Sequence, residues 1–324
     1  MLHSPLNCIN MGKYKILIDT DLGADVDDQL ALYAALLNKD VEIVGITTVC
    51  GNVDERAREV KKILHLMNKD SIPVYKGMIN GMSKDFSSDK HLLTFQEDIL
   101  NSKYKPENDD IDLAISFIIS CAKKYKDELY ILAIGPATNI AYATLKDKEA
   151  MQNVKAIYMM GGCVFTNQPE WNVFCDPKAV SILIENDLPF YLVCKECTAK
   201  TKLNDKNCQK VLELEKQDGI KKYIGFSARK WIESRNVGIT LHDPLTLYAI
   251  TNPEYIHFVK QRIACEEEGV HTKGFIMNYS LTNIYPKNKG YEVYVSNYVN
   301  EKKMIKHFMK NVINHKDKTK KEKW

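Results

Sequence analysis

No apolar run in the 324 residues approaches the length of a membrane span, and the N-terminal stretch MLHSPLNCINMGKYK lacks the apolar segment of a signal peptide. No membrane partner is expected, and the cytoplasm is the expected location. Proline (10) and glycine (15) are sparse, and no Pro/Gly/Ser-rich linker or internal repeat divides the chain. Separate modules are therefore not indicated. An excess of one charge is also missing, because 45 Lys and Arg oppose 42 Asp and Glu. Much of that small surplus lies in residues 316–323 (KDKTKKEK), which read as a solvated end, so no nucleic-acid partner is expected. The nine cysteines are odd in number and scattered through apolar runs, which argues for reduced, buried thiols over a disulfide framework. Cys194 and Cys197 have metal or redox spacing, but no second pair follows to complete a zinc site.

What is present is a regular alternation. Residues 14–18 (YKILI), 41–49 (VEIVGITTV), 129–134 (LYILAI), 154–160 (VKAIYMM) and 189–194 (PFYLVC) are near-continuous apolar runs of the kind buried parallel strands require. Between them, residues 27–38, 54–67, 111–124, 138–145 and 177–186 show helical periodicity. The pattern predicts an α/β fold with an open, mostly parallel, doubly wound sheet. Beyond residue 200 it becomes helical over 205–231 and 243–250, then β-like over 273–299, and closes with a charged helix. One domain over residues 13–312 is expected, with a helical cap or flap near 200–240 and flexible termini at 1–12 and 313–324.

In parallel sheets ligands gather at the carboxyl ends of strands. The loop after the first strand, from Asp19 to Asp28 (DTDLGADVDD), holds five carboxylates in ten residues. Helix capping accounts for one or two of them. The rest would repel one another and raise one another's pKa unless a cation sits among them, and a hard, oxygen-ligated ion such as Ca²⁺ or Mg²⁺ answers that need. An EF-hand does not fit, since Gly23 falls at the fifth position and a strand precedes. The loop alone leaves two enzymes open. One is a haloacid-dehalogenase-like phosphatase with Asp19 as nucleophile, Asp21 as acid and Mg²⁺ as cofactor, although no convincing downstream Lys and Asp-Asp motif follows. The other is a nucleoside hydrolase, whose opening motif is similar.

Further strand ends separate the two. Residues 45–53 (GITTVCGNV), 134–140 (IGPATNI), Met160-Gly161-Gly162, Glu170-Trp171-Asn172 and Leu241-His242-Asp243-Pro244 are each unremarkable singly. In this order and spacing they resemble the nucleoside hydrolase family over residues 15 to about 250. The resemblance implies a calcium-dependent enzyme that hydrolyses a small-molecule ribonucleoside to ribose and a free purine or pyrimidine base. It implies that Asp21, Asp28, Asp243 and the Ile134 carbonyl hold Ca²⁺, with Asp21 also the base that deprotonates the attacking water. By the same likeness Asp27, Asn52, Glu170 and Asn172 hold the ribose hydroxyls, Asn167 takes the 5′-hydroxyl, Met160 lines the sugar pocket, and His242 serves the departing base. A homodimer or homotetramer is implied as well. A protein that keeps a calcium-stabilised ribose pocket without turnover is the non-enzymatic alternative.

Departures from the family pattern cluster at the base end. The first loop is the longer form, which leaves Asp25 and Asp27 competing for the sugar, with Asp27 favoured. Trp171 stands where Phe or Tyr is commoner, His91 is a positional candidate, and the flap offers Phe226, Arg229, Trp231 and Arg235 to the base.

Overall fold

The computed structural model describes residues 14–23, 25–83, 104–286 and 289–315. The chain begins with β1 (Tyr14–Thr20), α1 (Asp27–Leu37), β2 (Val41–Thr48), α2 (Val53–Leu66) and β3 (Val74–Lys76). It continues through α3 (Asp112–Tyr125), β4 (Leu129–Ala133), α4 (Thr138–Lys146), α5 (Lys148–Gln152), β5 (Ala156–Met160), α6 (Trp171–Cys175), α7 (Pro177–Glu185) and β6 (Phe190–Val193). Then follow α8 (Lys195–Thr198), α9 (Asp205–Leu212), α10 (Ile220–Arg235), α11 (His242–Thr251), β7 (Ile256–Cys265), β8 (Ile276–Asn278), β9 (Tyr291–Val299) and α12 (Glu301–Phe308).

The strands form one sheet in the order β3-β2-β1-β4-β5-β6-β9-β7-β8. Pairing is parallel from β3 to β9, and β7 runs antiparallel to both β9 and β8. The expected mostly parallel, doubly wound sheet is what the chain builds. Period-two alternation explains its two-sided burial. Ile16 and Ile18 of β1 enter one apolar core, with residues of α1, α2, α10 and α11, whereas Leu17 enters the other, with residues of α3, α4 and α7. Strand order reverses at β1, which β2 flanks on one side and β4 on the other. A crevice opens at such a reversal, outside the carboxyl ends of the strands.

Three details differ from the sequence reading. β3 was not expected; it is three residues long, between Pro73 and Gly77, too short for a periodic signal. β7 was not expected either, because its burial does not alternate cleanly. The helical stretch 205–231 is broken by a 3₁₀ turn at Glu213–Lys216 and by Gly219 at φ 63°, and α10 then runs to Arg235. Gly225 lets α10 approach that turn, since a Cβ there would lie 2.1 Å from the Glu215 amide nitrogen. The described cysteines are free thiols, Cys194 and Cys197 among them, and all but Cys265 are buried. Among the described residues no helix is long and apolar enough to cross a membrane.

Candidate active site

A cavity of about 320 Å³ lies at the reversal point. One wall is acidic, with Asp21, Asp25, Asp27 and Asp28 from the loop after β1 and Asp243 from the first turn of α11; Glu170, before α6, also lines the cavity. Ile134, Met160 and Asn172 face it, Lys195 and His242 line it, and Trp171, Trp231 and Arg235 complete it. Asp27 and Asp28 stand in the first turn of α1, and Asp243 in that of α11, so two positive helix ends converge on the carboxylates.

The loop is held from behind. Asp19 is fully buried, and its Oδ1 accepts from Thr47 Oγ1 at 2.5 Å and Asn139 Nδ2 at 2.7 Å. Asn139 also donates to the Thr48 carbonyl at 3.1 Å and accepts from the Met78 amide at 2.8 Å, which ties β1, β2 and α4 together. Burial pushes Asp19 up to about 7. It does not line the cavity, so it is not placed as a phosphatase nucleophile would be. Arg56 of α2, also fully buried, donates from Nη1 to the carbonyls of Asp21 and Leu22, and from Nε to the Cys50 carbonyl at 2.6 Å. Thr20 Oγ1 donates to Asp28 and accepts from the Leu22 amide at 3.0 Å.

Carboxylate oxygens of Asp27, Asp28 and Asp243 lie within 4.8 Å of one another, and all three side chains are buried. Desolvation raises each pKa well above the usual range, and repulsion among the neighbouring aspartates adds to it. Asp21 is raised by burial too, with Arg56 pulling the other way. Buried oxygen donors with this much uncompensated charge fit a hard divalent cation.

The opposite wall is built by main-chain hydrogen bonds. Glu170 caps α6, accepting from the amides of Asn172 at 3.1 Å and Val173 at 3.2 Å, and from Gly162 at 2.9 Å. Asn172 Nδ2 donates to the carbonyls of Met160 at 3.1 Å and Ile134 at 3.4 Å. His242 Nδ1 lies 2.7 Å from Thr198 Oγ1. Burial, and then the charge of Lys195, lower its pKa to about 4, which keeps the imidazole neutral near physiological pH.

Residues 16–306 match the family described as inosine-uridine preferring nucleoside hydrolase. The chain belongs to this nucleoside hydrolase family. Uridine nucleosidase 1 of Arabidopsis thaliana is 29% identical over 293 residues, 84% of either chain. Probable uridine nucleosidase 2 of Oryza sativa is 29% identical over 277 residues, 79% of either chain. The solved purine-preferring ribonucleoside hydrolase of Gardnerella vaginalis aligns with a TM-score of 0.78 at 26% identity, covering 93% of this chain and 98% of its own. The enzyme class is therefore that of the nucleoside N-ribohydrolases.

In this nucleoside hydrolase, Asp21, Asp27, Asp28, Ile134, Met160, Glu170, Asn172, His242 and Asp243 line this cavity together. Asn52 and Asn167 do not. Asn52 Oδ1 caps α2 by accepting from the Glu55 amide at 3.3 Å, and Asn167 is exposed. Asp27, expected at the sugar, belongs to the close carboxylate group with Asp28 and Asp243, whereas Asp21 lies outside that group. Asp25 also reaches the cavity. Of the flap candidates, Trp231 and Arg235 line it, while Arg229 pairs with Glu215 at 2.8 Å and lies over the Phe226 ring. His91 falls outside the described residues. Arg56, Asn139, Lys195 and Thr198 were not anticipated. The one available signal for Lys195 and Thr198 was their place directly after a predicted parallel strand.

Proposed function

We propose that this hydrolase cleaves the N-glycosidic bond of a ribonucleoside to give ribose and a free purine or pyrimidine base, with one Ca²⁺ per subunit. The observation that carries the reading is the buried group of Asp27, Asp28 and Asp243 in a cavity at the strand reversal. Asp21, Asp28, Asp243 and the Ile134 carbonyl would hold the ion, with Asp27 available beside them. When bound, it supplies Lewis acidity and coordination for oxygen ligands.

The protein's own groups do the rest. Asp21, made more basic by burial, takes a proton from the attacking water. Glu170 and Asn172, fixed by main-chain hydrogen bonds, and Asp27 orient the sugar hydroxyls and surround the developing oxocarbenium charge. Met160 packs against the sugar. Trp171 and Trp231 offer faces for the base, and His242, held by Thr198, hydrogen-bonds it. Relatives named for uridine and a solved structure named for purines support both base classes as substrates. The same reading includes a single domain over residues 13–312, a homodimer or homotetramer, and a role in cytoplasmic nucleoside catabolism and salvage. The test is release of reducing sugar across a nucleoside panel with and without chelator. Release that chelation abolishes is expected; no release from any nucleoside overturns the proposal.

A further inference from the structure

Hydrolysis of an N-glycosidic bond makes two opposite demands on one cavity. The acidic wall favours a positively charged sugar, but it repels a base that departs with the bonding electron pair. The cations lining the cavity are Lys195 and Arg235. Arg235 is exposed at the end of α10, its guanidinium over the Trp231 ring at 5.5 Å. Lys195 is partly buried, and its main chain is fixed at the opposite wall. Its amide donates to the Gly162 carbonyl at 2.9 Å, and the Gly162 amide donates to Glu170 at 2.9 Å. On the same short helix, Thr198 holds the His242 ring. Lys195, Glu170 and His242 all line the same cavity. Among the described residues no carboxylate forms an ion pair with its ammonium.

We propose that Lys195 is a catalytic residue that meets the negative charge of the departing base, a role resting on the hydrolysis proposed above. As the C1′–N bond breaks, its electron pair goes to the base nitrogen, to which the ammonium donates a hydrogen bond. The water oxygen bonds to C1′ and gives one proton to Asp21, which returns it through solvent to the released base. No oxidant or second substrate is needed.

The experiment compares wild type, Lys195→Met and Lys195→Arg on uridine, inosine and p-nitrophenyl riboside, whose phenolate departs without assistance. Lys195→Met should lower kcat on the nucleosides by roughly 10²-fold, the scale of losing one charge-stabilising donor. It should leave nitrophenyl riboside turnover unchanged, which also shows that the variant folds. Lys195→Arg should recover most of the nucleoside rate. Equal slowing of the nitrophenyl substrate, or wild-type turnover of nucleosides by Lys195→Met, overturns the proposal. Failure of the underlying hydrolysis is a separate result, in which wild-type enzyme releases no base from any nucleoside and both proposals fall.

Discussion

Asp21 couples the acidic loop to the chemistry proposed for it. Its carboxylate faces the cavity while its carbonyl is held by Arg56, so replacing the side chain leaves the loop's main anchor in place. Asp21→Asn keeps the volume and removes the basicity. Turnover should fall by roughly 10²- to 10⁴-fold, the range for losing a general base, with little change in the urea unfolding midpoint measured in chelator. Near wild-type turnover would remove Asp21 from the role of base. At this scale the sequence was most readable where chemistry concentrates in a short segment. Asp21, Asp27, Asp28, Glu170, Asn172, His242 and Asp243 stood out as clustered or ordered motifs. Arg56 did not, because an arginine in a charged helix looks like any solvated residue until tertiary packing buries it. Asn52 carries two readings for a related reason, since an Asn after a strand suits a helix cap, which it forms here, as well as a sugar site.

Elements meet in ways that residue types alone do not reveal. Tyr223 of α10 donates to Glu59 of α2 at 3.0 Å, and the Lys62 ammonium lies 4.6 Å from the Tyr223 ring centre. The helix that brings Trp231 and Arg235 to the cavity is thus fastened to the helix that carries Arg56. Burial raises Glu59 from 4.5 to about 7, against partial relief from Tyr223, Arg56 and Lys62. The folded protein therefore holds this proton more tightly than the unfolded chain. The group costs nothing below pH 4.5, and its destabilising effect grows as pH rises through 7, to about 3 kcal/mol at most. Glu59→Gln can still accept from Tyr223 without ionising. Its unfolding free energy, measured by denaturant titration, should gain on wild type steadily between pH 4.5 and 7. A difference that does not change with pH would contradict the shift. The main strands and their helices were legible because burial on both faces leaves continuous apolar runs. β3 and β7 were not, since one is short and the other lies near the sheet edge with mixed exposure.

For the whole molecule, the cavity gathers carboxylates from positions as distant as Asp27 and Asp243, so a bound ion links the beginning of the fold to a late helix. Unfolding must release that ion. Calcium at one hundred times its dissociation constant should add about 3 kcal/mol of stability, read as a chelator-reversible rise in Tm. A Tm indifferent to calcium and chelator would argue against the site. This convergence could be foreseen only through the resemblance, because sequence spacing carries no distance between the first loop and residue 243. The placement of Lys195 in one cavity with Glu170 and His242 was invisible for the same reason.

The grip of Arg56 has a consequence for how the pocket can respond to a ligand. A single guanidinium reaches main-chain oxygens of Asp21, Leu22 and Cys50, bridging the turns that follow two neighbouring strands. Because the bridge takes hold of the backbone, the carboxyl groups above it can swing toward an arriving ion or sugar while the scaffold beneath them stays still.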